Sequence, residues 1–162
     1  MQKMILVCGI PGSGKTTFSN LLSEETGFTH IDIDDVYADM NGDSRDRNHK
    51  FEVWQEFFRR IHAAQQAGED VIVDTMALLA YNRREFIEWF PEFGEHHLIF
   101  ITADFDACLR NVQNRERVIP ESRMREFFDI IEYPSEITDL YWDSITWYAN
   151  DGGEFIETYE EE

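Results

Sequence analysis

Gly9-Ile10-Pro11-Gly12-Ser13-Gly14-Lys15-Thr16 matches the pattern G-x-x-x-x-G-K-[S/T] at every fixed position. Residue types in this order suit the grip of a polyphosphate. Glycines admit backbone angles that turn several N–H groups inward onto phosphate oxygens. A helix opening near Lys15 adds the positive end of its dipole. Lys15 brings a mobile ammonium to the β- and γ-phosphates, and the Thr16 hydroxyl offers a hard oxygen to Mg²⁺. Gly9, Pro11, Gly12, Ser13, Gly14, Lys15, Thr16 and the neighbouring Thr17 are therefore the candidate ATP-binding residues.

Carboxylates recur where short apolar runs stop. Asp34 and Asp35 follow Ile31-Asp32-Ile33, and Asp74-Thr75 follows Val71-Ile72-Val73. Asp34 could take the proton of an acceptor hydroxyl, steer that hydroxyl toward the γ-phosphate, or hold a water on Mg²⁺. Thr16 and Asp34 are thus the metal-side candidates, and Asp74 could orient the acceptor or the metal's water shell. Arg110, Arg115 and Arg117 cluster in a chain with 14 basic residues. Guanidinium groups stabilise the charge spread over the oxygens of a phosphoryl group in transfer. On a short segment between two helices they could also close over the site and exclude water. The plain structural alternative is a solvated, salt-bridged face shared with Glu116 and Glu121.

These residues are far apart in the chain and need a scaffold to meet. Short apolar runs predict strands over residues 4–9, 29–34, 71–73, 97–103 and 144–149. Amphipathic stretches predict helices over about 15–25, 50–67, 82–90 and 106–114, and one more marked by Met124, Phe127, Phe128 and Ile131. Phe51, Trp54, Phe58, Ile61 and Ala64 are expected on one face of the longest of these. Alternation of strands and helices implies parallel pairing through crossovers. The expected fold is α/β: a three-layer α/β/α sandwich with a mostly parallel five-stranded sheet and a small helical lid over about 110–128. Ligands bind at the carboxyl ends of such strands, so the loops after Gly9, Asp34, Asp74 and Ala103 should converge on one rim. Residues 1–153 read as a single domain, and the glutamate-rich stretch 154–162 as a frayed, solvated tail.

Composition bounds the setting. The chain of 162 residues is 43% apolar, enough for one packed core without disulfide staples. Cys8 and Cys108 read as buried, reduced thiols, which fits a cytoplasmic location. The first apolar run is too short for a secretory leader, and no stretch reaches the length of a membrane span. A net charge of −19 works against loose binding to nucleic acid.

Several of these segments together resemble the 5′-kinase domain of phage polynucleotide kinase, within the small phosphate-loop kinases that include zeta-toxin-like enzymes. The resemblance rests on Gly9 to Thr17, Ile33-Asp34-Asp35, Val73-Asp74-Thr75, Leu109-Arg110-Asn111, Arg115 and Val118-Ile119-Pro120. It implies Asp34 as general base, Lys15 and Thr16 on phosphates and metal, Asp74 setting acceptor or metal geometry, and Arg115 or Arg117 as the lid arginine. Arg83 and Arg84 fall near a basic pair of that family. The stretch Asp35-Val36-Tyr37-Ala38 lacks the arginine which that family sets on the acceptor phosphate. Arg45, Arg47 and Lys50 offer a local anion patch diluted by Asp43 and Asp46.

The function expected is transfer of the ATP γ-phosphate to an acceptor hydroxyl. A polynucleotide 5′-hydroxyl or a modified-base hydroxyl in nucleic acid ranks first, with a nucleoside, nucleotide or sugar as the small-molecule alternative. An ATPase or nucleotide switch, with Asp74 orienting water, is a second class. A partner-binding adaptor using Trp54, Trp89, Trp142 and Trp147 is a third, although core packing accounts for most aromatic residues.

Overall fold

Unbroken apolar runs become the middle of a sheet, because strands covered on both faces have no polar side to show. The computed structural model describes residues 1–115 and 118–158. Its strands are β1 (Lys3–Cys8), β2 (Thr29–Asp32), β3 (Val71–Asp74), β4 (Glu95–Thr102), β5 (Ser144–Asp151) and β6 (Glu154–Thr158). They form one sheet in the order β2-β3-β1-β4-β5-β6. All neighbours are parallel except β5 and β6. The helices are α1 (Lys15–Thr26), α2 (Ile33–Asn41), α3 (Lys50–Gln66), α4 (Ala80–Trp89), α5 (Phe105–Gln113) and α6 (Glu121–Ile130).

The period of two along the strands splits the core into two layers. Val7, Ile72 and Ile101 pack against Phe18 of α1. Met4, Leu6, Val71, Val73, Leu98 and Phe100 face the other way, onto Val53, Phe57, Ile61 and Ala64 of α3 and Phe86 of α4. A third cluster joins Ile10 of the phosphate loop to Cys108 and Val112 of α5 and to Met124 and Phe127 of α6. That cluster seats the lid helices directly on the loop. Both thiols are buried and unpaired, and burial pushes Cys8 up to about 12 and Cys108 up to about 11.

Three expectations are corrected. The sheet has six strands, not five, because residues 154–158 are not a frayed tail. They pair with β5, and Phe155 packs edge-on against Phe18, with ring centroids 5.2 Å apart. β2 stops at Asp32, two residues early. The Asp32 side chain accepts a hydrogen bond from the Asp34 N–H at 2.9 Å and so caps a new helix, α2, where alternation predicted more strand. On α3 the buried face is Val53-Phe57-Ile61-Ala64, whereas Phe51 is 72% exposed at the first turn. The tryptophans mostly serve the core: Trp142 is buried, and Trp54 and Trp147 pack against the main cluster.

Arg83 is likewise not a surface cation. It is fully buried, forks onto Asp139 through Nε and Nη2 at 2.8 and 3.1 Å, and donates Nη1 to the Ala77 carbonyl. Its partner in sequence, Arg84, is exposed and pairs with Glu88 one turn on. Removing one partner of a buried pair strands the other's charge. Arg83→Met is therefore expected to cost about 3–5 kcal/mol in denaturant unfolding. Replacing Asp139 by Leu in the same chain should restore much of it, and a single mutant as stable as the parent would refute the stranded-charge account.

Candidate active site

The phosphate loop turns between β1 and α1. Gly12 and Gly14 have φ of 83° and 100°, in the left-handed region that glycine tolerates. A Cβ at Gly12 would run into the Cys108 carbonyl oxygen, so the loop admits no side chain there. Two asparagines clamp it from elsewhere in the fold. Asn111 of α5 donates to the Gly12 carbonyl at 2.8 Å, and Asn150 of β5 donates to the Ser13 carbonyl at 2.9 Å. Ser13 Oγ is buried without a hydrogen-bond partner. A glycine loop with an orphaned, buried hydroxyl fits a phosphate-bearing ligand.

A cleft of about 680 Å³ opens beside the loop. Its walls bring together Pro11, Lys15, Thr16, Asp34, Asp74 and Arg115, six of the residues expected from sequence. Segments after β1, β2 and β3 and the end of α5 thus converge on one rim. Thr17 and Arg110 are both exposed and do not line this cleft. Asp35 is exposed and outside it as well, so of this pair only Asp34 lines the cleft. Arg117 lies outside the described residues. The lid helix α6 contributes Ile119, just before it, and Phe127 to the wall.

Parallel register sets Asp32 beside Asp74 at the ends of β2 and β3. Thr16 Oγ1 lies between them, 2.9 Å from Asp74 Oδ2 and 3.3 Å from Asp32 Oδ2. His30 Nε2 is 3.4 Å from Asp74 Oδ2. One ligand atom from each of His30, Asp32 and Asp74 lies within 4.8 Å of the others. This donor set, which includes Asp32, suits a small dication. Sequence reading noted Asp32 only as strand alternation and missed His30. Its spacing of two from Asp32 was the available signal.

Burial pushes the Asp32 carboxyl up to about 7, helped by the charges of Asp74 and Asp34. Burial lowers the His30 imidazole, but its hydrogen bond to Asp74 and the nearby carboxylates outweigh that, and the net direction is up. Asp32 has its native pKa above the unfolded value of 3.8. Between about pH 4 and 7 the native state keeps a proton that the unfolded chain has lost, so the ligand-free fold weakens as pH rises through that window. Asparagine caps a helix as well as aspartate. Asp32→Asn is therefore expected to stabilise the ligand-free protein at pH 8 by about 1–2 kcal/mol, or roughly 3–6 °C in melting temperature. Its melting should also vary less between pH 5 and 8; a lower melting point in chelator would contradict this.

At the far end of the cleft, Asp34 Oδ1 accepts from Arg47 Nη2 at 2.6 Å, and the Arg47 guanidinium lies over the Tyr37 ring. Ser44, Lys50 and Trp54 complete this end of the cleft. Arg45 is engaged by Asp43 and does not line it.

Known kinases are similar to this chain in sequence or in fold. The shikimate kinase of Clostridium beijerinckii is 26% identical over 148 residues, covering 90% of this chain and 85% of its own. A sugar kinase from Janibacter sp. superposes with a TM-score of 0.66 at 20% identity, over 92% of this chain and 86% of the other. A chain of the Pnkp1/Rnl/Hen1 RNA repair complex superposes with a TM-score of 0.69 at 16% identity, over 79% of this chain and 43% of that one. Such structural likenesses at low identity speak for the fold. None of the described helices is long and apolar enough to cross a membrane. Residues 4–132 match the signature described as AAA domain, and with its glycine loop, parallel sheet and seated lid the chain belongs to that family and has a phosphate-loop kinase fold.

Proposed function

We propose that this protein transfers the γ-phosphate of ATP to the hydroxyl of a compact acceptor that also carries a negative charge. Kinase relatives and family membership support phosphotransfer in general. The acceptor class rests on one observation: Asp34 shares a cleft with Lys15 and Thr16 and is flanked there by Arg47 and Lys50. A carboxylate for the hydroxyl and two cations for an anionic group make a short, closed recognition set.

Each residue then has a task. The glycine loop from Gly9 to Gly14, with Lys15, holds the triphosphate, and Arg110, Arg115 and Thr17 are the outer donor contacts. Thr16, Asp32 and Asp74 would hold Mg²⁺, which would supply positive charge against the transferring phosphate. Asp34 accepts the hydroxyl proton as the acceptor oxygen bonds to phosphorus and the bond to the β-phosphate oxygen breaks, leaving ADP. Arg47 turns from Asp34 to the acceptor's anion, which releases the base when an acceptor is present. Residues 110–128 act as lid on one catalytic unit that runs through β6.

A long polynucleotide fits less well, because a net charge of −19 repels it and the cations near Asp34 are few. An acceptor screen with γ-labelled ATP tests this directly. Label is expected on a hydroxy acid, sugar phosphate or nucleotide. Label only on 5′-hydroxyl oligonucleotides would overturn the compact acceptor. ATP hydrolysis indifferent to every hydroxyl compound would overturn acceptor transfer and favour a nucleotide switch.

A further inference from the structure

His30 stands on β2 two residues before Asp32, so both side chains leave the same face of the strand. Its Nδ1 lies 2.9 Å from Asn20 Oδ1 of α1. An amide oxygen only accepts, so Nδ1 carries the proton. That leaves Nε2 to face Asp74 Oδ2 at 3.4 Å. In the protonated ring Nε2 donates to Asp74, whereas in the neutral ring its lone pair opposes the carboxylate, so the pair calls for a cation, either a proton or a metal ion. The side chain is only 12% exposed, so water screens this opposition weakly.

The donor atoms of His30, Asp32 and Asp74 lie within 4.8 Å of one another. Opposite ligands on one ion with bonds of about 2.1 Å are roughly 4.2 Å apart, so a small closing movement brings all three onto a single centre. Thr16 Oγ1 adjoins Asp74 and Asp32. Asn20 holds the imidazole as outer partners hold metal-binding histidines, by taking its other N–H.

We infer that His30 is a direct metal ligand and that the site prefers an octahedral transition dication, Mn²⁺, to Mg²⁺. The inference rests on the proposed phosphotransfer site but goes beyond it, since that reading needs only oxygen ligands. Mg²⁺ favours oxygen alone, whereas an imidazole nitrogen adds affinity for first-row transition ions.

The experiment is calorimetric titration of metal-free, nucleotide-free protein with MnCl₂ and with MgCl₂, plus pulsed electron paramagnetic resonance of bound Mn²⁺. Mn²⁺ should bind at least about tenfold more tightly than Mg²⁺, and its spectrum should show ¹⁴N coupling from one imidazole. His30→Gln should lose the coupling and most of the preference. Asn20→Ala, at an exposed position of α1 outside the core, should weaken Mn²⁺ about tenfold. Equal affinities in the parent protein, or Mn²⁺ without nitrogen coupling, would overturn His30 as ligand. Calorimetry of Mg²⁺-ATP on the same sample separates the two readings. Nucleotide binding without nitrogen coupling sinks only this inference, and loss of nucleotide binding sinks the proposed function with it.

Discussion

Asp34→Asn is expected to lose phosphotransfer by about 10²–10⁴-fold in kcat while binding Mg²⁺-ATP within about twofold of the parent. The amide keeps the shape of the carboxylate but cannot take a proton from the acceptor hydroxyl. The substitution also releases Arg47, whose side chain is 26% exposed against 43% for Asp34. A pair that open to water contributes about 0–1 kcal/mol, so the fold should survive with little change in melting temperature. Rate loss with intact stability and intact nucleotide affinity thus isolates the chemistry. Single-turnover transfer at near the parent rate would remove Asp34 as base. Arg47→Ala provides the contrast: if Arg47 anchors the acceptor's anion, KM for the acceptor rises and the ATP affinity does not.

Lys15→Ala is expected to weaken triphosphate binding by about 10- to 100-fold, from loss of one charge-assisted contact, and to slow transfer by about 10²–10³-fold. Lys15 lines the cleft at the start of α1, and its Nζ is 3.5 Å from the Ile10 carbonyl, a long contact readily exchanged for phosphate. The exchange leaves no core group behind, so stability without ligand should barely move. Fluorescence competition with a labelled nucleotide reads the affinity, and quench-flow reads the rate. Unchanged values for both would contradict the phosphate-loop assignment. The two variants separate donor from acceptor functions, since one leaves ATP binding intact and the other attacks it.

Local pattern carried much of this protein. The phosphate loop was legible because its glycines, its lysine and its threonine fall within eight consecutive residues. The central strands were legible because burial on both faces writes itself as an unbroken apolar run, as in Met4 to Cys8 and Val71 to Val73. The end of α5 and the approach to α6 were also placed by pattern, and with them Arg115 at the cleft.

Where two local rules compete, the sequence was ambiguous. Ile31-Asp32-Ile33-Asp34 alternates as a strand, but an aspartate ahead of Asp34 and Asp35 also caps a helix. The cap won, which set Asp32 beside Thr16 and Asp34 in the first turn of α2. Likewise the glutamate-rich end read as solvated, yet an edge strand needs only one covered face, and Phe155 supplies it against Phe18.

Long-range partners were decided by packing alone. Arg83 is structural because Asp139, 56 residues later, meets it in the core. His30 and Asp74, 44 residues apart, meet because β2 pairs with β3 in one register. Asn150 reaches the phosphate loop across 137 residues because β5 lies beside β4. The sequence by itself determined the glycine loop from Gly9 to Thr16, whose residue types suit a polyphosphate. Tertiary structure decided which carboxylates, imidazole and arginines surround it, because pairing register and helix packing couple residues that no local period relates.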